Sequence, residues 1–520
     1  MGRNLFSAFL SIFSARVLTS VVAILSLPVV VRILGPAGYG DYAFLMSAFN
    51  LLMIFVSSGV TEGVQKFVGE DRDDEWRDRV VGFYLKLGVA LAMIGGVGVA
   101  GVAVFGPVEQ WLGPEFRRYF GLLALLVLTV QFRSFTRRTL MGMGLERYSE
   151  PLQVASKVVW VVAALGLLSL GWGVAGLLAA NVVSSGTTAL VGGALILGRV
   201  SVSRVVSRLP PEFPRSELLS FNALNVVLAL LMMSLYHVDV LMLRTLAGDS
   251  VTGYYKAALA VAEYLWFVPL SLQTLLLHST SDLWADRRLA RIESLAAKIT
   301  RYALLLTVLL ALGVAALADR FVPLYFGAEY APAVAPLRLL LPGALAFAVV
   351  RPVFSISRAN GDLRPLVAAT GGAALLNAAL NVALIPRYGM VGAAIATGVG
   401  YGSMLLFHVA SARRLGYDPL ADLRAGRVAA TAGFGAVAIF GTAAVLERDP
   451  VALAVVPVVG FAAYLSAALL TGAVGRDEMG EIAAALPVPE QVRAFAGSLA
   501  GVFAGALAVL GVETDEGSGE

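Results

Sequence analysis

The sequence predicts an all-α, polytopic membrane protein with about 14 transmembrane helices, and three observations support this fold class. Of the 520 residues, 58% are hydrophobic and only 14% are charged, whereas about a quarter of the residues in a soluble domain are charged. The mean hydropathy is +0.81, and the apolar blocks reach the roughly 20 residues that one membrane crossing needs. The polar joints between the blocks are too short to fold as soluble domains.

The apolar blocks define the predicted spans in chain order. Glycine and proline end many of them, as at Gly35-Pro36 and Gly248, because these residues interrupt helices. The first block is too long for a cleaved signal peptide, so we expect it to be retained. The predicted spans are 6–34, 41–61, 80–106, 119–142, 151–170, 173–197, 218–246, 251–277, 299–318, 333–357, 365–385, 389–410, 428–446 and 451–473.

Basic residues alternate between successive joints and so predict the orientation. If the N-terminus is cytoplasmic, the even-numbered joints carry most of the lysine and arginine, including Arg199, Arg204 and Arg208, whereas the odd joints carry few. Cytoplasmic loops are enriched in these two residue types. The pattern therefore predicts a multi-pass protein of the cell (plasma or inner) membrane with both termini in the cytoplasm.

An internal duplication divides the predicted spans into two sets of six. Three landmarks recur: residues 32–42 resemble 244–255 at an offset of 213, 144–151 resemble 361–365 at 217, and 173–177 resemble 389–393 at 216. A copied unit with an even number of spans keeps its orientation, so we expect two parallel six-helix lobes with a substrate site between them.

The duplication gives the predicted domain organisation. We expect an N-terminal lobe at 1–198 (spans 1–6), a cytoplasmic linker at 199–217, a C-terminal lobe at 218–412 (spans 7–12), spans 13 and 14 at 413–475, and a cytoplasmic or interfacial tail at 476–520. Within the tail, residues 494–512 are mildly apolar and rich in alanine and glycine, which favours an interfacial or packed helix over a fifteenth span.

Five segments together resemble the polysaccharide-transport branch of the multidrug/oligosaccharidyl-lipid/polysaccharide (MOP) flippase superfamily: Arg32–Tyr42, Asp239–Arg244, Gly253–Ala257, Asn360–Pro365 and Asn377–Thr397. The resemblance covers roughly residues 5–475. It implies two helical lobes around a central cavity and alternating access. It also implies a lipid-phosphate- or lipid-diphosphate-linked oligosaccharide as cargo, and neither catalytic residues nor a cofactor.

Ionisable residues deep in the predicted spans are the candidate site, because a charge at that depth is costly unless it is paired or hydrated. An anionic lipid head group needs cationic donors, and arginine binds phosphate through two hydrogen bonds. The candidates for such a cationic cavity are Arg16, Arg133, Lys157, Lys256 and Arg351. The two deep acids, Asp239 and Glu263, are candidates for coupling to a proton or sodium ion, or for charge pairing.

Other polar residues have a simpler interpretation. Basic residues near span ends are expected to snorkel towards the interface; they are Arg32, Lys86, Arg137, Arg138, Arg244 and Arg358. Lys256 and Glu263 are seven residues apart, and Asn377 and Asn381 four apart, so each pair shares one helical face.

Several function classes are disfavoured. The chain has no cysteine and only three histidines, without metal-ligand spacing, so we expect no metal site, no cofactor, no nucleic-acid partner and no enzymatic activity. The expected partners are the lipid-linked oligosaccharide and membrane lipids.

A multidrug or organic-cation exporter of the same superfamily is the transporter alternative. A membrane glycosyltransferase using Asp71 and Asp73 is the enzyme alternative, but the basic-residue rule places those acids in the cytoplasm, within a charged loop.

Overall fold

The computed structural model describes residues 5–220, 223–475 and 478, and the side chains of these except 5–16, 274, 275 and 278. The Arg16 side chain and the tail apart from Glu478 therefore lie outside the described residues. Every regular element in the described part is helical, which confirms the predicted all-α class.

The chain forms seventeen α-helices within the described residues, joined in places by short 3-10 or π turns. The first half comprises α1 (Leu5–Met53), α2 (Gly59–Val68), α3 (Asp74–Phe105), α4 (Val108–Leu112), α5 (Glu115–Gly142), α6 (Glu146–Ser169) and α7 (Gly173–Leu197). The connector holds α8 (Val202–Val206) and α9 (Arg215–Ser220). The second half comprises α10 (Ala223–Leu246), α11 (Asp249–Glu263), α12 (Phe267–Ala285), α13 (Leu289–Phe326), α14 (Val334–Ala359) and α15 (Arg364–Arg414), followed by α16 (Ala425–Val445) and α17 (Asp449–Leu470).

Eleven helical segments of the described chain are long and apolar enough to cross a membrane. Two of them, Val17–Val68 and Arg364–Arg414, have 52 and 51 residues, and at about 1.5 Å per residue each is more than twice the thickness of a bilayer core. Each contains a glycine with positive φ, Gly35 at 65° and Gly389 at 53°, where the helix breaks. The count of 14 spans stays a prediction.

The outer surface of the bundle is apolar, as a lipid-facing surface must be. Ile94, Leu190, Leu375 and Val437 expose at least 70% of their area. Inside, α5 packs between α3 and α7, and α14 packs between α13 and α15. Helix α1 packs both against α6 of its own half and against α10 and α11 of the second half, so it joins the two halves.

Contacts between elements distant in the chain define the two ends of the bundle. At one end, Gly40 of α1 lies against Asp249, the first residue of α11, Arg244 donates to Leu112 O, and Arg118 stacks on Trp172. We call it the closed end, because the two halves meet there. The opposite end contains the 199–217 connector, and we call it the linker end. There Lys86 donates to Ser207 O and Arg77 to Arg199 O. The connector at the linker end carries the exposed residues Arg204, Arg208 and Arg215, and the basic-residue rule assigns such an end to the cytoplasm.

Two glycines bring the halves together at the closed end. A Cβ on Gly40 would lie 2.0 Å from the carbonyl oxygen of Asp249, and a Cβ on Gly253 would lie 2.0 Å from that of Pro36. Gly40 and Gly253 are 213 positions apart, and so are Pro36 and Asp249. The two contacts are thus reciprocal, as expected where two copies of one unit meet across a pseudo-two-fold axis.

A buried arginine attaches the last two helices to the second half. Arg301 on α13 is fully buried and pairs with Asp422 at 2.9 Å and with Glu478 at 2.5 Å. Although partial burial opposes its charge, the backbone N–H of Gly475 and the guanidinium groups of Arg301 and Arg424 hold the pKa of Glu478 below its usual range. The acid therefore stays ionised at neutral pH and fixes the end of α17 to α13.

Candidate functional site

A polar cavity of about 580 Å³ lies within the first half, between α1, α5, α6 and α7. Its volume falls in the range of roughly 300–1,000 Å³ that ligand sites occupy. The walls carry charged, amide and hydroxyl groups, although the surrounding helices are apolar enough to span a membrane. They are formed by Thr19, Tyr42, Arg133, Arg137, Glu150, Gln153, Ser156, Lys157, Trp160, Asn181 and Ser184.

Two predicted cationic residues lie in this cavity. Arg133 projects from α5 and Lys157 from α6, and both side chains are half-buried. The Lys157 ammonium lies 4.0 Å from the centre of the Trp160 ring, a cation–π contact that stabilises a partly desolvated charge. Within the described residues, neither has a carboxylate at ion-pair distance, so both charges can pair with an anion.

A third cation in the cavity is already paired. Arg137 donates to buried Glu150 with Nη2 3.0 Å from Oε1, and the Ser149 hydroxyl donates to the same oxygen at 3.1 Å. The expectation that Arg137 snorkels was wrong, because Glu150 on α6 binds it inside the bundle. Three cations and one carboxylate therefore line the cavity, a surplus of two positive charges.

Neutral polar groups complete the cavity wall. Asn181 donates from Nδ2 to the Tyr42 hydroxyl at 3.0 Å and to Leu177 O at 2.9 Å. The Ser156 and Ser184 hydroxyls are hydrogen-bonded to each other at 2.8 Å. These amide and hydroxyl groups offer further donors and acceptors of the kind that sugar hydroxyls and phosphate oxygens use.

The second half holds a separate polar cluster around Asp239, which is fully buried. Its carboxylate accepts from the backbone N–H of Val240 at 2.7 Å, from the Thr397 hydroxyl at 3.0 Å, and from the Tyr255 hydroxyl. The donors come from α10, α11 and α15. Asp239 is thus held by neutral groups and has no cation at ion-pair distance among the described residues.

Two asparagines extend the Asp239 cluster along α15. Asn377 donates to the Thr397 hydroxyl at 3.5 Å, and Asn381 donates to Asn377 Oδ1 at 3.2 Å. Both asparagines are buried, and Oδ1 of Asn381 has no hydrogen-bond partner in the described part of the chain. A buried, unpaired acceptor costs free energy unless a further group binds it.

The remaining predicted residues also lie in the second half. Arg351 on α14 is 4% exposed, donates to the Tyr236 hydroxyl, and lies 4.3 Å from the Phe347 ring centre and 5.6 Å from that of Trp266. Lys256 and Glu263 pair with each other at 3.4 Å along α11, which agrees with their predicted common face. Of the predicted cations whose side chains the structure describes, Arg133 and Lys157 share the first-half cavity, whereas Lys256 and Arg351 lie in the second half.

Sequence reasoning missed several residues of the first-half cavity, above all Glu150, Gln153 and Trp160. Together with Lys157 they lie at intervals of three, four and three residues along α6 and share one helical face. That spacing is visible in the sequence, but Gln153 and Trp160 carry no charge, and the cost of burying a charge therefore does not single them out. Phe347 lies one turn before Arg351 on α14 and was within reach of the i, i+4 pattern, whereas Tyr236 and Trp266 lie far from Arg351 along the chain, so no local pattern could identify them.

The two polar sites have different chemistry. The first-half cavity presents surplus positive charge and suits an anion, whereas the Asp239 cluster presents one carboxylate and several neutral oxygens and suits a small cation. Within the described residues no group of three or more His, Cys, Asp or Glu side chains is placed to hold a metal ion.

Comparison with known sequences identifies both a family and relatives. A family model described as "Polysaccharide biosynthesis protein" matches residues 5–267, half of the chain. A probable low-salt glycan biosynthesis flippase of Haloferax volcanii is 22% identical over 404 residues, covering 77% of this chain and 81% of that protein. An uncharacterized membrane protein of Methanocaldococcus jannaschii is 26% identical over 163 residues, covering 31% of this chain and 32% of that protein.

Solved structures share the fold. A lipid II flippase, MurJ, in an inward closed conformation superposes with a TM-score of 0.65 at 13% identity, covering 89% of this chain and 98% of that one. An inward-facing multidrug resistance MATE family transporter of the MOP superfamily superposes with a TM-score of 0.63 at 15% identity, covering 76% and 94%. These matches confirm the predicted polytopic fold.

Proposed function

The chain belongs to the polysaccharide biosynthesis protein family, and on that premise we propose that it flips a lipid-phosphate- or lipid-diphosphate-linked oligosaccharide across the cell membrane. Transport runs from the cytoplasmic to the outer leaflet by alternating access and serves surface glycan synthesis. The relative from Haloferax volcanii is named as a probable glycan biosynthesis flippase. One observation carries the proposal: the first-half cavity has two cations, Arg133 and Lys157, without a carboxylate partner among the described residues.

The charge of the cavity supports an anionic cargo. A phosphate inside a bundle of membrane helices is far costlier than in water unless cations compensate it. Arg133 can donate to two phosphate oxygens at once, and Lys157 adds a point charge that Trp160 stabilises. The Tyr42 hydroxyl, which accepts from Asn181, and the Asn181 Oδ1 atom can still bond to sugar hydroxyls.

The contacts between the halves support alternating access. Hydrogen bonds that join the halves include Arg244 to Asp41, Tyr330 to Val31 O and Arg32 to Leu324 O, and all three lie towards the closed end. The positive-inside rule makes the linker end cytoplasmic. We therefore infer that the closed end faces the outside, that cargo is loaded from the cytoplasm, and that both termini are cytoplasmic.

The Asp239 cluster supports coupling of transport to a monovalent cation. Asp239, Asn377, Asn381 and Thr397 bring one negative charge and several neutral oxygens to a buried place. Hard cations prefer oxygen ligands, and a single carboxylate matches one positive charge. Sodium fits this ligand set, and a proton on Asp239 is the alternative. We assign Glu263 to charge pairing with Lys256 and not to ion coupling.

The two alternative functions have less support. An exporter of organic cations needs an apolar or acidic cavity, whereas this cavity carries surplus positive charge. For a glycosyltransferase, Asp71 and Asp73 would have to hold a metal-bound sugar nucleotide. Asp73 instead caps α3 by accepting from the Trp76 N–H at 2.8 Å, and neighbouring Asp74 pairs with Arg77 at 2.9 Å. We therefore propose a transporter without enzymatic activity.

Deleting the gene tests the function directly. We expect loss of a surface or secreted glycan, with its lipid-linked precursor accumulating on the cytoplasmic face. Complementation with the double variant R133Q/K157Q should fail, whereas K157R should restore much of the glycan because it keeps the charge. R118Q is the matched control, since Arg118 also lies over a tryptophan, Trp172, but at the closed end.

Two results would contradict the proposal. One is full complementation by R133Q/K157Q at wild-type protein level. The other is a deletion strain in which the precursor reaches the outer leaflet normally while sensitivity to cationic drugs rises, which would establish the exporter instead.

A further inference from the structure

A second cavity of the first half, about 490 Å³, has a different character from the first. It lies between α3, α5 and α7 and is closed at the linker end by α8. Its walls are hydrocarbon and include Leu85, Phe132, Ala189, Gly193, Ile196 and Val205. We call this cavity the apolar groove.

An occupant of the apolar groove needs no hydrogen-bonding groups of its own. Its two hydroxyl groups donate within their own helix, Thr129 to Leu125 O at 3.3 Å and Thr136 to Arg133 O at 3.0 Å. Its depth comes partly from Gly193, where an added methyl group would meet no atom within 4 Å. Such a space suits a hydrocarbon chain.

The apolar groove is separate from the cationic cavity. Phe132 and Thr136 of α5 face the apolar groove, whereas Arg133 and Arg137 face the cationic cavity, so the two sites use different faces of one helix. On α7, Leu190 lines the apolar groove and is 76% exposed. The apolar groove therefore borders the lipid-facing surface of the bundle.

Basic groups surround the linker end of the apolar groove. Lys86 follows the lining residue Leu85, is exposed, and donates from Nζ to the Ser207 carbonyl at 2.6 Å. Arg204 on α8 is half exposed, and its one ion pair among the described residues is a long contact, 3.5 Å, to Asp78. Arg208, four residues further along the connector, is also exposed. Val206 of α8, 68% exposed, offers an apolar side chain at the same level, as helices at a membrane interface do.

We propose that the apolar groove binds one acyl chain of an anionic phospholipid from the leaflet at the linker end, with the phosphate on Lys86 and Arg204. The inference goes beyond the proposed transport function, because this lipid stays bound and is not the cargo. Charge complementarity selects the occupant: basic side chains at head-group level attract anionic lipids of the cytoplasmic leaflet, and the apolar groove below them takes the chain.

Photolabelling in nanodiscs tests the inference. The full-length protein is placed in phosphatidylcholine nanodiscs with a minor fraction of phosphatidylglycerol that carries a diazirine on its acyl chain. After irradiation, we expect labelled peptides from α5 and α7 around Phe132 and Gly193. With the diazirine on phosphatidylcholine instead, labelling there should be several-fold weaker.

Two variants separate the apolar groove from its basic rim. G193L fills the space and should lower labelling at the apolar groove several-fold, while G166L, at another helical glycine with nothing near its added methyl group, should leave it unchanged. K86Q removes one of the two charges proposed to hold the phosphate and should reduce the preference for phosphatidylglycerol over phosphatidylcholine several-fold. R414Q, which removes an exposed charge at the linker end of the second half, is its control.

Three results would overturn the inference. Equal labelling by the two phospholipids in the wild type would show that charge does not select the occupant. Undiminished labelling in properly folded G193L would place the chain elsewhere. Displacement of the label by a polyprenyl phosphate, but not by unlabelled phosphatidylglycerol, would assign the apolar groove to the cargo.

Discussion

Asp239 is the clearest case of a single side chain whose surroundings suggest a role. A buried carboxylate held by hydroxyl and amide groups is stable only if a proton or a cation neutralises it. We expect D239N to remove the dependence of transport on sodium and to slow transport about tenfold, the effect of losing roughly 1.4 kcal/mol of coupling. Transport into vesicles at graded sodium concentrations measures this.

The hydroxyl of Thr397 gives a second, milder test at the same site. T397V removes one oxygen from the Asp239 cluster and should raise the sodium concentration needed for half-maximal transport. T188V is the matched control, since its buried hydroxyl donates only to Ser184 O in the first half. A sodium response in D239N that equals the wild-type response would rule out this ion site.

At the residue scale, the sequence indicated which ionisable residues lie deep within the membrane spans, but it did not indicate which of them contact each other. Burial cost predicted that Arg133, Lys157 and Arg351 need partners, and the structure places Arg133 and Lys157 together in the first-half cavity but Arg351 in the second half. Arg351 lies against Phe347, one turn away on α14, and against Tyr236 and Trp266, which only the tertiary fold brings to it. The roles assigned to these residues stay predictions.

At the element scale, the contact between α1 and α11 depends on two glycines. Replacing Gly40 or Gly253 by alanine places a methyl group on a backbone carbonyl that cannot rotate away. Overpacking of this kind costs about 1–3 kcal/mol. We expect G40A and G253A to disfavour the closed end and lower transport roughly 5–150-fold, since each 1.4 kcal/mol is tenfold.

Gly38 provides the control for this prediction. It lies on the same helix, and an added Cβ would make an ordinary contact with Leu34 at 3.4 Å, so G38A should transport normally. Accessibility of a cysteine introduced at Ala37 to an impermeant thiol reagent should rise in G40A. Wild-type transport by both G40A and G253A would show that closure does not need this contact.

The elements themselves were largely predictable, because apolar blocks and glycine or proline breaks are local signals. Gly35 and Gly389 end helical stretches where the sequence placed joints. The repeat offset related Gly40 to Gly253, yet equivalence in two copies does not say that the copies touch. That contact depends on how the halves dock, which the sequence pattern does not encode.

At the scale of the whole molecule, orientation can be tested with single cysteines, since the chain has none of its own. Cysteines at Ala37 and Gln110, at the closed end, should react with an impermeant thiol reagent added outside intact cells. Those at Ser207 and Asn360, at the linker end, should react only after the membrane is opened. All four positions are exposed. The reverse pattern would contradict cytoplasmic termini.

Composition and periodicity together predicted an all-α membrane bundle, and family resemblance predicted its transporter fold; both are confirmed. The division into two six-helix lobes stays a prediction. It agrees with the reciprocal contacts of Gly40 with Asp249 and of Gly253 with Pro36. The cargo could not be deduced from fold alone, because related folds host different substrates.

The seam between α1 and α11 also has a mechanical consequence. Because the halves touch most closely at one end, the seam acts as a fulcrum and each half as a lever arm about 30 Å long, the thickness of the bilayer core. A tilt of about 10° at the fulcrum therefore moves the far end of each arm by about 5 Å over that length. Close to the pivot a small displacement produces a large rotation, so one methyl group added there changes the aperture at the opposite face of the membrane.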